Sequence, residues 1–261
     1  LLSNVFAEHK NALEYVKKRS YLLPAFQREF VWKEYQIENL FDSLMRGYPI
    51  SSMLFWKVSG NAKNSWKFYR FLDSYVEKYR IHNDVVDTAS SNDFFAVLDG
   101  QQRLTSLNIG LYGSYASHEY RKTWDFTPAS FPSKKLYLRL KKNNESEENS
   151  KIYQFEFKKL WEKDLEEDSQ RIKWFRVGKI VDLHLNSDYS LDDFIDENSF
   201  QKEEKTILRS LEKVIFTNLS INFYEEDDSS PDKAVNIFTR INAGGTPLTF
   251  SAILFSLMVS N

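Results

Sequence analysis

The residues most able to do chemistry stand side by side: Asp99-Gly100-Gln101-Gln102-Arg103 puts a carboxylate, a flexible hinge, two amides and a permanent cation into five positions. In phosphate chemistry each type has a task. Gly100 lets the backbone approach a ligand, N–H groups at a helix start point outward at an anion, and Arg103 offers a bidentate charged contact. Asp99 is the candidate to hold a divalent cation or position water, and Gln101 or Gln102 to orient that water. A plainer arrangement uses the same residues as a turn, with Asp99 capping the helix and Arg103 making a surface ion pair. Capping alone has no need of two adjacent amides.

The flanking residues say what must position this corner. Phe94-Phe95-Ala96-Val97-Leu98 is an apolar run of strand length, and Leu104, Leu107, Asn108 and Leu111 resume with helical spacing until Gly110 and Gly113 weaken it. The motif is therefore expected on a strand–turn–helix unit.

Upstream, Pro24 favours an extended segment from Tyr21 to Trp32, whose polar centre is Gln27-Arg28. Ile37, Leu40, Phe41, Leu44 and Met45 predict a helix from Glu34 to Arg46, ended by Gly47 and Pro49. A buried strand is expected from Ile50 to Val58, a turn at Gly60–Asn64, and a strand at Trp66–Tyr69 pairing back. Leu72 to Asp93 is polar, with one short helix expected. Lys134–Leu140 and Tyr153, Phe155 and Phe157 alternate like strands around a charged loop at 141–150, whereas 175–211 is spaced as helices with Ser190 or Asp192 as caps. Val214–Tyr224 is expected as a returning strand. Ser230-Pro231-Asp232 reads as a helix start, with Ala234, Val235, Ile237, Phe238 and Ile241 on its buried face. Gly244-Gly245 stops that helix, and Thr249 or Ser251 caps another. Arg240 and Asn242 are the polar residues left at this corner; by spacing alone they equally suit a helix C-terminus.

Composition narrows the chemistry. The chain has 261 residues, 16% of them aromatic, which argues for a packed interior. Its formal net charge of −2 lacks the positive excess of general nucleic-acid binders. With no cysteine, disulfides, thiolate metal sites and cysteine nucleophiles are excluded in this segment. The four histidines, His9, His82, His118 and His184, lack metal-ligand spacing. Glu156-Phe157-Lys158 matches a fragment of a metal-nuclease pattern, but Glu-x-Lys is common by chance. No run reaches the roughly 18 apolar residues of a membrane span, and there is no leader pattern at the N-terminus, so a cytoplasmic location is expected. The chain begins without Met and ends inside an apolar helical pattern, so it is expected to be part of a longer protein.

Four motifs in order carry a family resemblance: Pro24-x-x-Gln27-Arg28-x-x-Val31-Trp32, Tyr48-Pro49-Ile50, Leu98-Asp99-Gly100-Gln101-Gln102-Arg103-Leu104-Thr105, and Phe238-x-Arg240-x-Asn242-x-x-Gly245-x-x-Leu248-Thr249. Together they resemble the N-terminal domain of the GmrSD-type modification-dependent restriction enzymes. The resemblance implies an α+β fold with a ParB/sulfiredoxin-like mixed-sheet core and helical elaborations. One domain is expected over 1–261, its motif core at about 20–113 and 214–261 and a variable insertion at about 114–213. The resemblance further implies nucleoside-triphosphate binding and hydrolysis, with magnesium as cofactor, in the service of antiphage DNA restriction. A histidine-metal nuclease domain, C-terminal or separate, is the implied partner. By position Asp99, Gly100, Gln101, Gln102 and Arg103 inherit the nucleotidase role, with Asp99 toward the metal, while Gln27, Arg28, Arg240 and Asn242 match other motif positions and are expected to face the nucleotide across a cleft. The alternative is a module in which the same pocket reads a phosphate or a modified base without turnover. The sulfiredoxin branch uses a cysteine that this chain lacks, and the nuclease half is missing from these residues, so DNA cleavage is not expected of this segment.

Overall fold

The computed structural model of the protein describes residues 16–79, 82–143, 151–159, 163–217, 223–228 and 230–242. The expected α+β class is what it shows. In chain order come β1 (Tyr21–Pro24), α1 (Glu34–Met45), β2 (Met53–Val58), α2 (Ala62–Ser65), β3 (Phe68–Tyr69), β4 (Ser74–Val76), β5 (Val85–Val86), β6 (Phe94–Asp99) and α3 (Gln101–Tyr112). There follow β7 (Ser114–Ala116), β8 (Lys135–Arg139), β9 (Phe155–Lys158), β10 (Leu165–Glu167), β11 (Lys173–Arg176), α4 (Lys179–Leu185), α5 (Leu191–Glu197), α6 (Lys202–Phe216), β12 (Phe223–Glu226) and α7 (Pro231–Asn242).

The main sheet has the order β12-β2-β6-β1-β3-β5. Its centre pairs β1 and β6 in parallel, while β2 runs antiparallel to β6 and β12 parallel to β2. Period-2 alternation gives it two apolar faces. Leu22, Trp56, Ala96 and Leu98 pack with Ala234 and Phe238 of α7, whereas Tyr21, Leu23, Phe55 and Val97 pack with Leu104 of α3. Fully burying a side chain such as Phe238 contributes about 1.5–3 kcal/mol, which docks α7 on its face.

The second sheet, ordered β10-β11-β8-β9, shares one apolar cluster with α1, α3 and the helices α4 to α6. The middle of the chain is thus built into the packing of the motif-bearing helix. Helix α1 ends in a Schellman turn: Gly47 has φ +72°, its N–H donates to Leu44 O and that of Tyr48 to Ser43 O.

Carboxylates on α1 also satisfy the edge of the second sheet. Asp42 accepts the Tyr153 N–H at 2.9 Å, and Glu38 accepts the Phe157 N–H at 3.2 Å while pairing with Lys151. Burial raises the Glu38 pKa above its ordinary value, against the pull of Lys151. The folded state therefore holds this proton more tightly than the unfolded one, so this residue's contribution makes stability fall as pH rises from the ordinary glutamate range through the raised pKa. Glu38→Gln keeps an acceptor for Phe157 and is expected to flatten that decline above the ordinary glutamate range, read as denaturation midpoint against pH in both proteins. A mutant slope equal to wild type would refute the assignment.

Several expectations are corrected by the tertiary arrangement. Phe68–Tyr69 is a strand, but it pairs with β1 and β5, because both edges of β2 are taken by β12 and β6. The turn at 60–64 leads into the short helix α2, and the described part of 72–93 holds β4 and β5 and no helix. Phe175 lies inside β11 rather than starting a helix, whereas Ser190 caps α5 as expected, accepting the Asp193 N–H. Val214–Phe216 closes α6 instead of opening a strand, since Ile207, Leu208, Leu211 and Ile215 form one buried stripe. The returning strand is confined to β12. Pro231 does open α7, but Ile241 is 51% exposed and only Ala234 and Phe238 of the expected face are fully buried. The loop at 144–150 and the helix expected after Thr249 lie outside the described residues.

Candidate functional site

Because β1 and β6 are parallel, their following segments leave the sheet at the same edge. The first carries Gln27 and Arg28, the second Asp99 to Arg103. A cavity of about 200 Å³ lies between them, lined by Gln27, Arg28, Trp32, Leu98, all five residues from Asp99 to Arg103, and Phe238. It sits at the carboxyl end of the central strands, where ligands collect in open sheets containing parallel strands.

Gly100 makes the corner. It adopts φ +97°, and a Cβ there would fall 2.6 Å from Met53 Cγ, so both backbone and space require glycine. The helix begins at once, with the Leu104 N–H donating to Gly100 O. No side chain caps it. Asp99 instead accepts a hydrogen bond from Arg103 Nη2 at 3.1 Å and stays 44% exposed, so the plain turn reading holds for the ion pair and fails for the cap. The free N–H groups and the positive end of the helix dipole open toward the cavity.

Two glutamines brace this corner reciprocally. Gln27 Nε2 donates to Val97 O at 2.9 Å and Leu98 O at 2.8 Å, tying the segment after β1 to the end of β6. Gln102 answers in the other direction: its Oε1 accepts the Val31 N–H and its Nε2 donates to Glu29 O, each at 3.0 Å. Tyr115 Oη adds a bond to Trp32 O, and Phe30 is buried beneath. Residues 25–33 lack regular structure yet are held at several points. Gln102 is 8% exposed with its amide committed to backbone, which makes it a positioning residue.

Arg103 is likewise occupied. Nη1 donates to Ile50 O, and Nη2 to Ser52 O at 3.1 Å as well as to Asp99. This gives the Tyr48-Pro49-Ile50 motif a physical meaning: it delivers the carbonyl that anchors Arg103. A register shift between β2 and β6 at Leu54/Phe55, beside the Leu54–Asp99 pairing, shapes the same corner.

Two polar groups are left for a ligand. Arg28 is exposed and, among the described residues, has no ion-pair or hydrogen-bond partner. Gln101 is 5% exposed, lines the cavity, and has no hydrogen-bond partner among the described residues. Its amide lines the cavity, where it can both donate to and accept from a ligand.

The third wall expected from sequence is only partly there. Strand β12 runs opposite to β6, so α7 returns along the sheet and brings Phe238 to the cavity, where its ring packs 4.7 Å from that of Phe26. Arg240 lies about 200° further round a 3.6-residue helix; it is exposed and does not line the cavity. Asn242 ends α7, and its side chain lies outside the described structure. Sequence reasoning missed Trp32 as a lining residue, and the carbonyls of Ile50 and Ser52, which leave no trace in side-chain type.

No group of three or more His, Cys, Asp or Glu that could hold a metal is found among the described residues. Among the described residues Asp99 is the one carboxylate lining this cavity. That fits a magnesium ion carried largely by phosphates and one carboxylate, and does not fit an all-protein cage. Among the described residues no helix is long and apolar enough to cross a membrane.

Comparison with known proteins bears on this geometry. The family model for the N-terminal domain of the GmrSD restriction endonuclease matches residues 5–259. An uncharacterised protein of Methanocaldococcus jannaschii is 26% identical over 250 residues, covering 92% of this chain and 40% of the relative. The chain thus spans less than half of that relative.

Proposed function

Since the chain belongs to the GmrSD N-terminal domain family, we propose that its cavity binds the phosphates of a nucleoside triphosphate and hydrolyses it, within a cytoplasmic system that restricts foreign DNA. The observation that carries this is the start of α3, uncapped among the described residues, opening on a cavity lined also by Arg28 and Gln101, whose side chains have no partner among those residues. Backbone N–H groups and the dipole hold phosphate oxygens, and Arg28 neutralises their charge. Arg103 sets the position of Asp99. Asp99 would hold magnesium together with the phosphates; bound there, the ion supplies charge neutralisation as the terminal phosphate departs. Gln101 orients the attacking water, while Gln27 and Gln102 keep the two segments in register. Catalysis on this plan is positioning and electrostatics. The parallel β1–β6 pair followed by the motif helix also supports assigning the core to the ParB/sulfiredoxin-like type. A histidine-metal nuclease domain, fused or separate, would be the partner that this turnover controls.

The test is magnesium-dependent phosphate release from the four nucleoside triphosphates, with equilibrium binding of each and of inorganic tripolyphosphate. Wild type is expected to bind both kinds of ligand, and Arg28→Ala to weaken both by about tenfold, as for the loss of one charge-assisted contact. Arg28 is exposed, so folding is unaffected. Binding without release, with or without modified DNA, would favour a recognition module that reads phosphate without turnover. Absence of binding would overturn the assignment.

A further inference from the structure

A second cavity, of about 180 Å³, adjoins the first. The two share Gln27, Arg28 and Gln101, so one continuous cleft runs across these side chains. The character of the lining changes along it. The first cavity has a carboxylate, two guanidinium groups and a helix start. The second is floored by Leu23, Pro24 and Ala25, with Tyr69 and Asn83 on its sides.

The polar groups of the second cavity are only partly committed. Asn83 Nδ2 donates to Arg70 O at 2.7 Å, which fixes the side chain and, among the described residues, leaves its carbonyl oxygen without a donor. Tyr69 is half-buried on β3 and, among the described residues, its hydroxyl has no hydrogen-bond partner. At the rim His82 Nδ1 meets Glu29 Oε1 at 2.8 Å, which joins the segment after β1 to the segment before β5. Gln101, whose side chain has no hydrogen-bond partner among the described residues, stands at the junction of the two cavities, where its amide can both donate and accept.

Beside the His82–Glu29 pair and the shared Arg28, an apolar floor, the Tyr69 ring and three amides, two of them fixed, suit a flat heterocycle. From this we infer that the second cavity is the nucleoside subsite: the base packs against Tyr69 and the floor of Leu23 and Pro24, and Asn83 reads its polar edge. The inference rests on the phosphate reading of the first cavity and adds to it where selectivity for the nucleoside resides.

Inorganic tripolyphosphate separates the two readings, because it has phosphates and no nucleoside. Titrating it and the four nucleoside triphosphates into wild type, Asn83→Ala and Tyr69→Ala is expected to show nucleotide bound more tightly than tripolyphosphate by wild type. Each variant should weaken the best nucleotide by about tenfold and leave tripolyphosphate affinity unchanged. Asn83 is half-buried in the segment before β5, outside any strand or helix, and Asn83→Ala deletes one bond, to Arg70 O, so that variant retains the fold even if Tyr69→Ala, on the strand paired with β1, does not. Equal loss for both ligands, or no loss for either in Asn83→Ala, would overturn the subsite with the phosphate reading intact. Tripolyphosphate failing to bind wild type would overturn the phosphate reading and this one with it.

Discussion

Arg103→Ala is expected to lower unfolding free energy by roughly 2–4 kcal/mol and nucleotide turnover by about a hundredfold. Two of the bonds lost run to backbone carbonyls, Ile50 O and Ser52 O, at a side chain only 15% exposed. Those carbonyls come from different positions of one segment, and no other residue type spans both. The bond to Asp99 adds less to stability, because that carboxylate is 44% exposed and solvent screens the pair. Its loss acts on function, since it frees the carboxylate that faces the cavity. Lysine cannot restore the arrangement: one ammonium on a flexible stem does not reproduce a planar fork serving three acceptors. Arg103→Lys is therefore expected to recover less than half of the lost stability, read by denaturant unfolding, and little of the turnover. Were Arg103 only a phosphate ligand, the alanine variant would unfold at the wild-type midpoint and lysine would rescue binding.

This reassignment shows where sequence reading reached and where it stopped. The strand, glycine corner and helix at 94–112 were legible because apolar spacing changes period across a glycine, and the fold agrees. Helix α1 was legible for the same reason. The convergence of Gln27-Arg28 with Asp99–Arg103 was expected from motif order, but its cause is the parallel pairing of β1 with β6, which residue types do not disclose. The roles inside the motif were not legible. Gln102 and Arg103 bond mainly to backbone carbonyls and N–H groups, and every residue presents those alike. Phe238 and Arg240 sit in the same motif, yet helical geometry sends the first to the cavity and the second to solvent. The second cavity draws on Tyr69, His82 and Asn83, which lie in short edge segments whose pairing depends on which strand edges are already taken.

With Gln27, Gln102 and Arg103 holding the corner, the proposed chemical step rests most on Asp99. Asp99→Asn is close in shape and keeps an oxygen to accept from Arg103 Nη2, so the bonds from Arg103 to Ile50 and Ser52 remain. What it removes is the negative charge. A neutral amide holds a divalent cation weakly and takes no proton from water, so magnesium-dependent phosphate release is expected to fall by about 10²–10³-fold. Binding of nucleotide measured without magnesium should stay within about twofold, since the helix start and Arg28 are untouched, and removing a carboxylate near phosphates tightens rather than weakens the contact. The unfolding midpoint should stay near that of wild type, because the altered pair is half in solvent. The combination separates Asp99 from Arg103: one loses turnover with stability and binding retained, the other loses stability together with turnover. Turnover preserved in Asp99→Asn would remove Asp99 from the chemistry and leave it as the partner that keeps Arg103 in place.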